Sequence, residues 1–161
     1  MSEPAPESPV VAVARVGPGA VEALRARVLR AGTGLDALRY EQDADPRTAT
    51  FAATLGPDPD EEPVGTATVF PEPCPWAPSE AGAWRLRAMA TEDGLRGRGV
   101  GAAVLRAAVD HVAAEGGRLV WCDARVAARA FYERHGFTVE GEGYEVEGIG
   151  PHWPMARRLT G

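Results

Sequence analysis

Leu95-Arg96-Gly97-Arg98-Gly99-Val100-Gly101-Ala102-Ala103-Val104-Leu105-Arg106-Ala107-Ala108-Val109 decides how this chain is read. Three glycines alternate and then stop. Behind them the apolar residues fall at helical spacing, Val104 with Ala108 and Leu105 with Val109, then Val112, while Arg106 and Asp110 lie on another face. Glycine lets a backbone turn freely and approach a ligand closely. The first N–H groups of a helix are unpaired and lie at the positive end of its dipole. The junction from Arg96 through Gly97, Arg98, Gly99, Val100 and Gly101 therefore suits a phosphate, to which the two arginines would add charge-assisted bonds. The plainer reading is a flexible strand-to-helix connection.

Two nucleotide-binding readings compete. A P-loop needs Gly-Lys-Ser/Thr, which does not follow here. A dinucleotide fingerprint fits Gly97-x-Gly99-x-x-Ala102, with Asp123 about 20 residues further on. In that fold, however, the first glycine follows its strand almost at once, whereas residues 91–96 intervene here. The strand concerned would also be the fourth, leaving too little chain for a second mononucleotide-binding half.

Outward from the loop, residues 10–16 are a valine-rich run and read as a strand. Val21, Leu24, Val28 and Leu29 recur at helical spacing, and Gly32 is a plausible stop. Residues 33–47 read as loop. Residues 48–55 and 64–70 flank a Gly-Pro-Asp-Pro-Asp turn and predict a hairpin. Residues 71–82 carry four prolines, a density no helix or central strand survives, so Cys74 and Trp76 there either line a pocket or anchor a loop. Residues 84–90 alternate apolar and basic, as a half-buried strand does. Gly116-Gly117 ends the helix behind the glycine loop, and residues 118–123 read as a strand. Residues 125–135 read as a helix, with Ala127 and Phe131, then Ala128 and Tyr132, as i,i+4 pairs. Residues 137–146 and 153–159 read as two last strands. The order implies an α/β domain over residues 10–161, a mixed sheet with helices on both faces.

A chain of 161 residues suits one domain and needs neither disulfide nor metal to fold. The first nine residues, rich in Pro, Glu and Ser, read as a disordered lead and lack the pattern of a signal peptide. No apolar run approaches a membrane span, so no membrane partner is expected. Cys74 and Cys122 form no CxxC and have no histidine cluster, which argues against zinc and suits a reducing cytoplasm. The net charge of −6 argues against nucleic acid and mildly favours a cationic substrate.

Arg96-x-x-Gly99-x-Gly101 resembles the R/Q-x-x-G-x-G/A signature of the GNAT superfamily of acyl-CoA-dependent N-acyltransferases, and Ala128-x-x-Phe131-Tyr132-x-x-x-Gly136-Phe137 is similar to a second segment of that family. The two follow in the family's order, with a strand, helix and strand between, and the match covers about residues 84–137. In many members an asparagine three residues before the second motif's alanine contacts the CoA arm; Arg125 stands there instead, so that role is not carried over, and Arg125 reads either as an arginine that reaches a CoA oxygen or as a surface residue.

The resemblance implies a mostly antiparallel sheet splayed between its fourth and fifth strands, with the pantetheine arm of acetyl-CoA in the gap. Backbone groups of Met89 and Ala90 would bond that arm, and the loop from Arg96 to Gly101 would hold the pyrophosphate. An amine, carried by a small molecule or a protein, would attack the thioester directly in a ternary complex. Tyr132 matches the family's tyrosine beside the sulfur and is the candidate general acid. His152, whose ordinary pKa suits proton abstraction, is the candidate base. Asp123 is a second candidate base or anchor, and Glu145 and Glu147 are candidate amine anchors. His111 and His135 read as structural. Residues 31–47 and 71–82 would build most of the acceptor site, and a homodimer is one expected assembly. A nucleotide-binding module using the same loop and a CoA-binding regulator without catalysis are the alternatives; stabilisation by acetyl-CoA rather than NAD or ATP separates the first.

Overall fold

A computed structural model describes residues 11–29, 41–56, 58, 60–95, 97–148 and 150–159. Through them run β1 (Val11–Val16), α1 (Glu22–Leu29), β2 (Ala49–Leu55), β3 (Gly65–Pro71), β4 (Ala83–Thr91), α2 (Val100–Ala114), β5 (Leu119–Arg125), α3 (Arg129–Arg134), β6 (Thr138–Val139), β7 (Tyr144–Val146) and β8 (Gly150–Arg158). Short 3-10 turns lead into α1 (Pro18–Val21), precede β2 (Glu41–Ala44) and join β5 to α3 (Val126–Ala128). The strands make one sheet in the order β1-β2-β3-β4-β5-β8-β6, with β7 also paired to β8. β4 and β5 run parallel and every other pair is antiparallel, which is the mixed sheet the sequence implies.

Alternation along the strands assigns the two faces of the sheet. Ala67 and Val69 of β3, with Trp84 and Leu86 of β4, join Val104, Leu105, Ala108 and Val112 of α2 in the main core. Thr68, between the first two, turns to the other face, where Arg25 of α1 donates to its hydroxyl at 2.9 Å. Arg25 also meets Asp43 at 3.2 Å, with 1% and 8% of the two side chains exposed. Val21, the last residue of the 3-10 turn, and Leu24 of α1 are buried, as their spacing predicts. The buried Arg25 is not legible there, because an arginine in a helical window reads as surface.

Three boundaries differ from the sequence reading. β5 continues to Arg125, which faces His152 across the ladder, so a 3-10 turn and a six-residue α3 replace one helix from residue 125. Residues 137–146 form two strands rather than one. Val139 faces Met155 and Tyr144 faces His152; the chain advances further on one side than on the other, so residues 140–143 loop out at the glycines Gly141 and Gly143. β8 begins at Gly150, which puts His152 inside the strand. Gly32, residues 33–40 and the first nine residues lie outside the described residues.

Candidate active site

β4 and β5 pair at only three positions, Ala83 with Leu119, Trp84 with Val120 and Arg85 with Trp121. Just beyond, β4 carries a bulge. Thr66 of β3 faces Ala90 and Thr68 faces Arg87, so Ala88 and Met89 share one opposite residue. Ala88 has φ 55°, a left-handed conformation that costs an L-residue about 1–2 kcal/mol. A bulge bends and twists its strand. β4 therefore leaves β5, which stays paired to β8 along its whole length. A cavity of about 810 Å³ fills the opening, lined by the far halves of both strands, the glycine loop and α3.

The glycine loop forms one end of this cavity. Gly97 and Gly99 have φ 81° and 85°, values that only glycine adopts without strain. A Cβ on either would meet nothing within 4 Å, so the space over the loop is open. Gly99 caps α2 without any side-chain bond to the first turn, which leaves those N–H groups available to an anion. Val100 is fully buried in the core, so only its backbone can serve a ligand. Gly101 is the closest approach: a Cβ there would lie 3.2 Å from Thr91 Oγ1 and 3.4 Å from Phe131 Cζ. Arg98 is exposed, and Arg96 lies outside the described residues. Met89, Ala90 and Arg125 line the cavity.

Tyr132 of α3 and Cys122 of β5 line its middle. Tyr132 is 5% exposed, and its ring sits 5.4 Å from that of Phe131 and 5.3 Å from that of Phe137. Burial holds its pKa well above the ordinary value near 10. The Cys122 thiol is likewise pushed up by burial and by the adjacent Asp123 carboxylate, so it stays protonated.

His152 is buried, 7% exposed, and faces the same cavity from β8. Its Nδ1 lies 2.9 Å from the Gly150 carbonyl. A carbonyl only accepts, so Nδ1 carries a hydrogen, and in the neutral ring the lone pair is then on Nε2. Tyr144 stacks beside it with ring centroids 6.1 Å apart and planes within 23°. The Tyr144 hydroxyl donates to Asp123 Oδ1, and Arg85 donates to Asp123 Oδ2 at 3.1 Å and to Glu72 at 3.2 Å. Both oxygens of Asp123 are thus engaged, which suits a positioning role better than proton abstraction.

Sequence reading brought Tyr132, His152 and the glycines to this one cavity but passed over Arg85 and Tyr144, which appeared only as strand residues. Nothing in the one-dimensional pattern pairs them with Asp123, 38 and 21 residues away in the chain. Cys74 and Trp76 prove to be anchors: Cys74 is buried with Leu119 and Ala156, and Trp76 packs edge-on to Trp121 at 5.3 Å. His111 lies edge-on to Phe51 and Trp84, at 5.7 and 5.9 Å, and His135 packs on Phe131 at 4.6 Å. Glu145 and Glu147 are exposed. Among the described residues no group of three His, Cys, Asp or Glu side chains is set to hold a metal ion, and no helix is long and apolar enough to cross a membrane.

Residues 23–137 match the model of the acetyltransferase (GNAT) family. The chain is 32% identical over 136 residues to an uncharacterized N-acetyltransferase, YitI, of Bacillus subtilis (strain 168), covering 84% of this chain and 88% of that one. Its fold is similar to that of a candidate N-acetyltransferase from Lactobacillus plantarum, with TM-score 0.77, 23% identity, and coverage of 94% and 99% of the two chains. It is also similar to a chain of the NatC complex bound to Gag peptide and CoA, with TM-score 0.72, 17% identity, and coverage of 93% and 99%.

Proposed function

The chain belongs to the GNAT acetyltransferase family and is an N-acetyltransferase that uses acetyl-CoA, and we propose that it acetylates an amine by direct attack within the cavity between β4 and β5. The observation that carries this reading is the convergence of three parts on one opening: the glycine-lined N-terminus of α2, the bulged edge of β4, and the pair Tyr132 and His152. The fit to acetyl-CoA rests on the open space above Gly97 and Gly99 and the uncapped first turn behind them.

In this reading, backbone N–H groups of the loop hold the pyrophosphate, and the unpaired edge of β4 near Met89 and Ala90 binds the pantetheine arm. A backbone N–H of that edge faces the thioester oxygen, where negative charge develops. His152 Nε2 takes the proton of the attacking amine. The C–N bond forms, the C–S bond breaks, and the Tyr132 hydroxyl gives its proton to the departing sulfur. The buried phenol remains protonated across the working pH range, so it is available as a donor. Asp123 holds Tyr144 beside His152 and thereby fixes the wall against which the amine arrives. Cys122, buried and protonated, takes no acyl group.

The test is acetyl-CoA turnover with a panel of primary amines, read as release of free CoA, together with thermal stabilisation by acetyl-CoA, NAD and ATP. Stabilisation by acetyl-CoA alone and amine-dependent CoA release are expected. An acetylated Cys122 in the intact-mass spectrum would replace direct attack by a two-step route.

A further inference from the structure

A second groove, of about 400 Å³, adjoins the main cavity and shares Tyr144 and His152 with it. Its other lining residues are Val126, Gly143, Glu145, Pro151 and Trp153. Five of these seven carry apolar or aromatic surface, the His152 imidazole among them, and Glu145 is the one carboxylate. The walls are held in place. Arg129 lies over the Trp153 ring at 4.6 Å. A Cβ at Gly143 would stand 3.3 Å from that ring, so the backbone of the arm rests on the indole. Tyr144 is tethered to Asp123. Val126 and Tyr144 are 47% and 40% exposed, the large apolar side chains most open to solvent among the described residues. The arm from residue 140 to 148 holds four glutamates and no lysine or arginine.

We infer that this groove is the acceptor subsite and that it takes a primary amine on an aromatic, uncharged body, lacking a carboxylate. The inference rests on the acetyltransferase reading above and deepens it. The chemistry follows from the lining. A flat apolar ring is matched by Trp153, Tyr144, Val126 and Pro151. The ammonium form is drawn in by Glu145, with Glu142 and Glu147 of the arm, whereas a carboxylate is repelled by them; Glu140 is paired with Arg158 at 2.8 Å, and Arg129 on the Trp153 wall is paired with Glu133 at 3.1 Å. His152, common to both cavities, stands where the amine passes from groove to thioester and can take its proton there. The acceptor thus enters by the β7–β8 arm rather than by residues 71–82, whose Cys74 and Trp76 face a separate small cluster.

The test compares three acceptors with the full chain saturated by acetyl-CoA: phenethylamine, phenylalanine (the same ring with a carboxylate) and ethylamine (no ring). Phenethylamine should exceed each of the others in kcat/KM by about tenfold to a hundredfold, the size expected from burying one ring or rejecting one charge. In Trp153→Ala the preference for phenethylamine over ethylamine should fall about tenfold or more. Should that variant not fold, Glu145→Gln, at an exposed position, should reduce the discrimination against phenylalanine about threefold or more. Ethylamine or phenylalanine used as well as phenethylamine overturns the inference, as does failure to turn over phenethylamine in protein that acetyl-CoA stabilises. Absence of stabilisation by acetyl-CoA would instead overturn the donor reading, so the two failures are distinguishable.

Discussion

Arg85 and Trp121 are the last residues at which β4 and β5 pair, and the Arg85 guanidinium lies over the Trp121 ring at 4.8 Å. The contact closes the paired half of the sheet just where the cavity begins. Trp121 in turn donates from Nε1 to the Glu72 carbonyl at 2.9 Å, and Arg85 meets the Glu72 and Asp123 carboxylates. The fork of the sheet is therefore fixed by one arginine that stacks and pairs at once, which lysine would not reproduce.

The donor site should depend on the loop glycines. Gly99→Asp and Gly101→Glu each put a carboxylate where the pyrophosphate would sit, and acetyl-CoA should bind at least about tenfold more weakly by calorimetry. The two variants differ in their effect on the fold. An aspartate at the φ 85° of Gly99 is strained by about 1–2 kcal/mol, while the side chain of a glutamate at 101 starts against Thr91 and Phe131. Gly101→Ala carries the contact without the charge and should retain most of the affinity. Wild-type affinity in both acidic variants would remove the pyrophosphate from this loop.

Tyr132→Phe deletes one hydroxyl and keeps the ring between Phe131 and Phe137. kcat should fall about 10-fold to 10³-fold, the lower part of the range for a positioned acid, because a thiolate leaves tolerably unaided. The acetyl-CoA dissociation constant should move far less, since one hydrogen bond is worth about 1 kcal/mol. Burial raises the phenol pKa well above 10, so no alkaline limb from this group should appear in the wild-type rate profile below about pH 10. An unchanged kcat in single-turnover measurements would leave Tyr132 as packing alone.

The Arg25–Asp43 pair should matter to stability in proportion to its burial. Arg25→Ala leaves the Asp43 carboxylate buried without this partner and should cost about 3–5 kcal/mol in denaturant unfolding. With Asp43→Ala already present, the same change should cost at least about 1 kcal/mol less, which a double-mutant cycle reads directly. Equal costs in both backgrounds would mean that the two groups are not coupled.

His111 sits half-buried between Phe51 and Trp84, and its pKa is lowered from about 6.5, chiefly by burial and further by Arg15. The folded state therefore binds this proton less readily than the unfolded chain does. Stability from this group is present above the unfolded value and is lost as pH falls through the folded one. Melting temperature should drop between pH 7 and pH 5, and His111→Phe should flatten that slope. An identical slope in the variant would assign it to carboxylates elsewhere.

Local signals were strong where the chemistry is local. Alternating glycines ahead of a 3.6-residue period mark the start of α2 because positive φ and an uncapped first turn are properties of a few successive residues. The spacing of Phe131, Tyr132 and Gly136 likewise lies within one helix and its stop, and Tyr132 does line the cavity. His152 was legible as a candidate by type, and its strand position was not, because pairing with Arg125 and Tyr144 depends on a register set by distant residues.

The amino-acid sequence by itself determined the order of elements as far as α3 and the loop that suits an anion, consequences of short-range periodicity, and its two motifs carried the resemblance to the family. Tertiary structure alone decided that β4 bulges at Ala88 and parts from β5, that Arg25 is buried, and that Arg85, Asp123, Tyr144 and His152 share one wall. Such features arise from register, charge pairing and packing between segments tens of residues apart, and no window along the chain is wide enough to contain them.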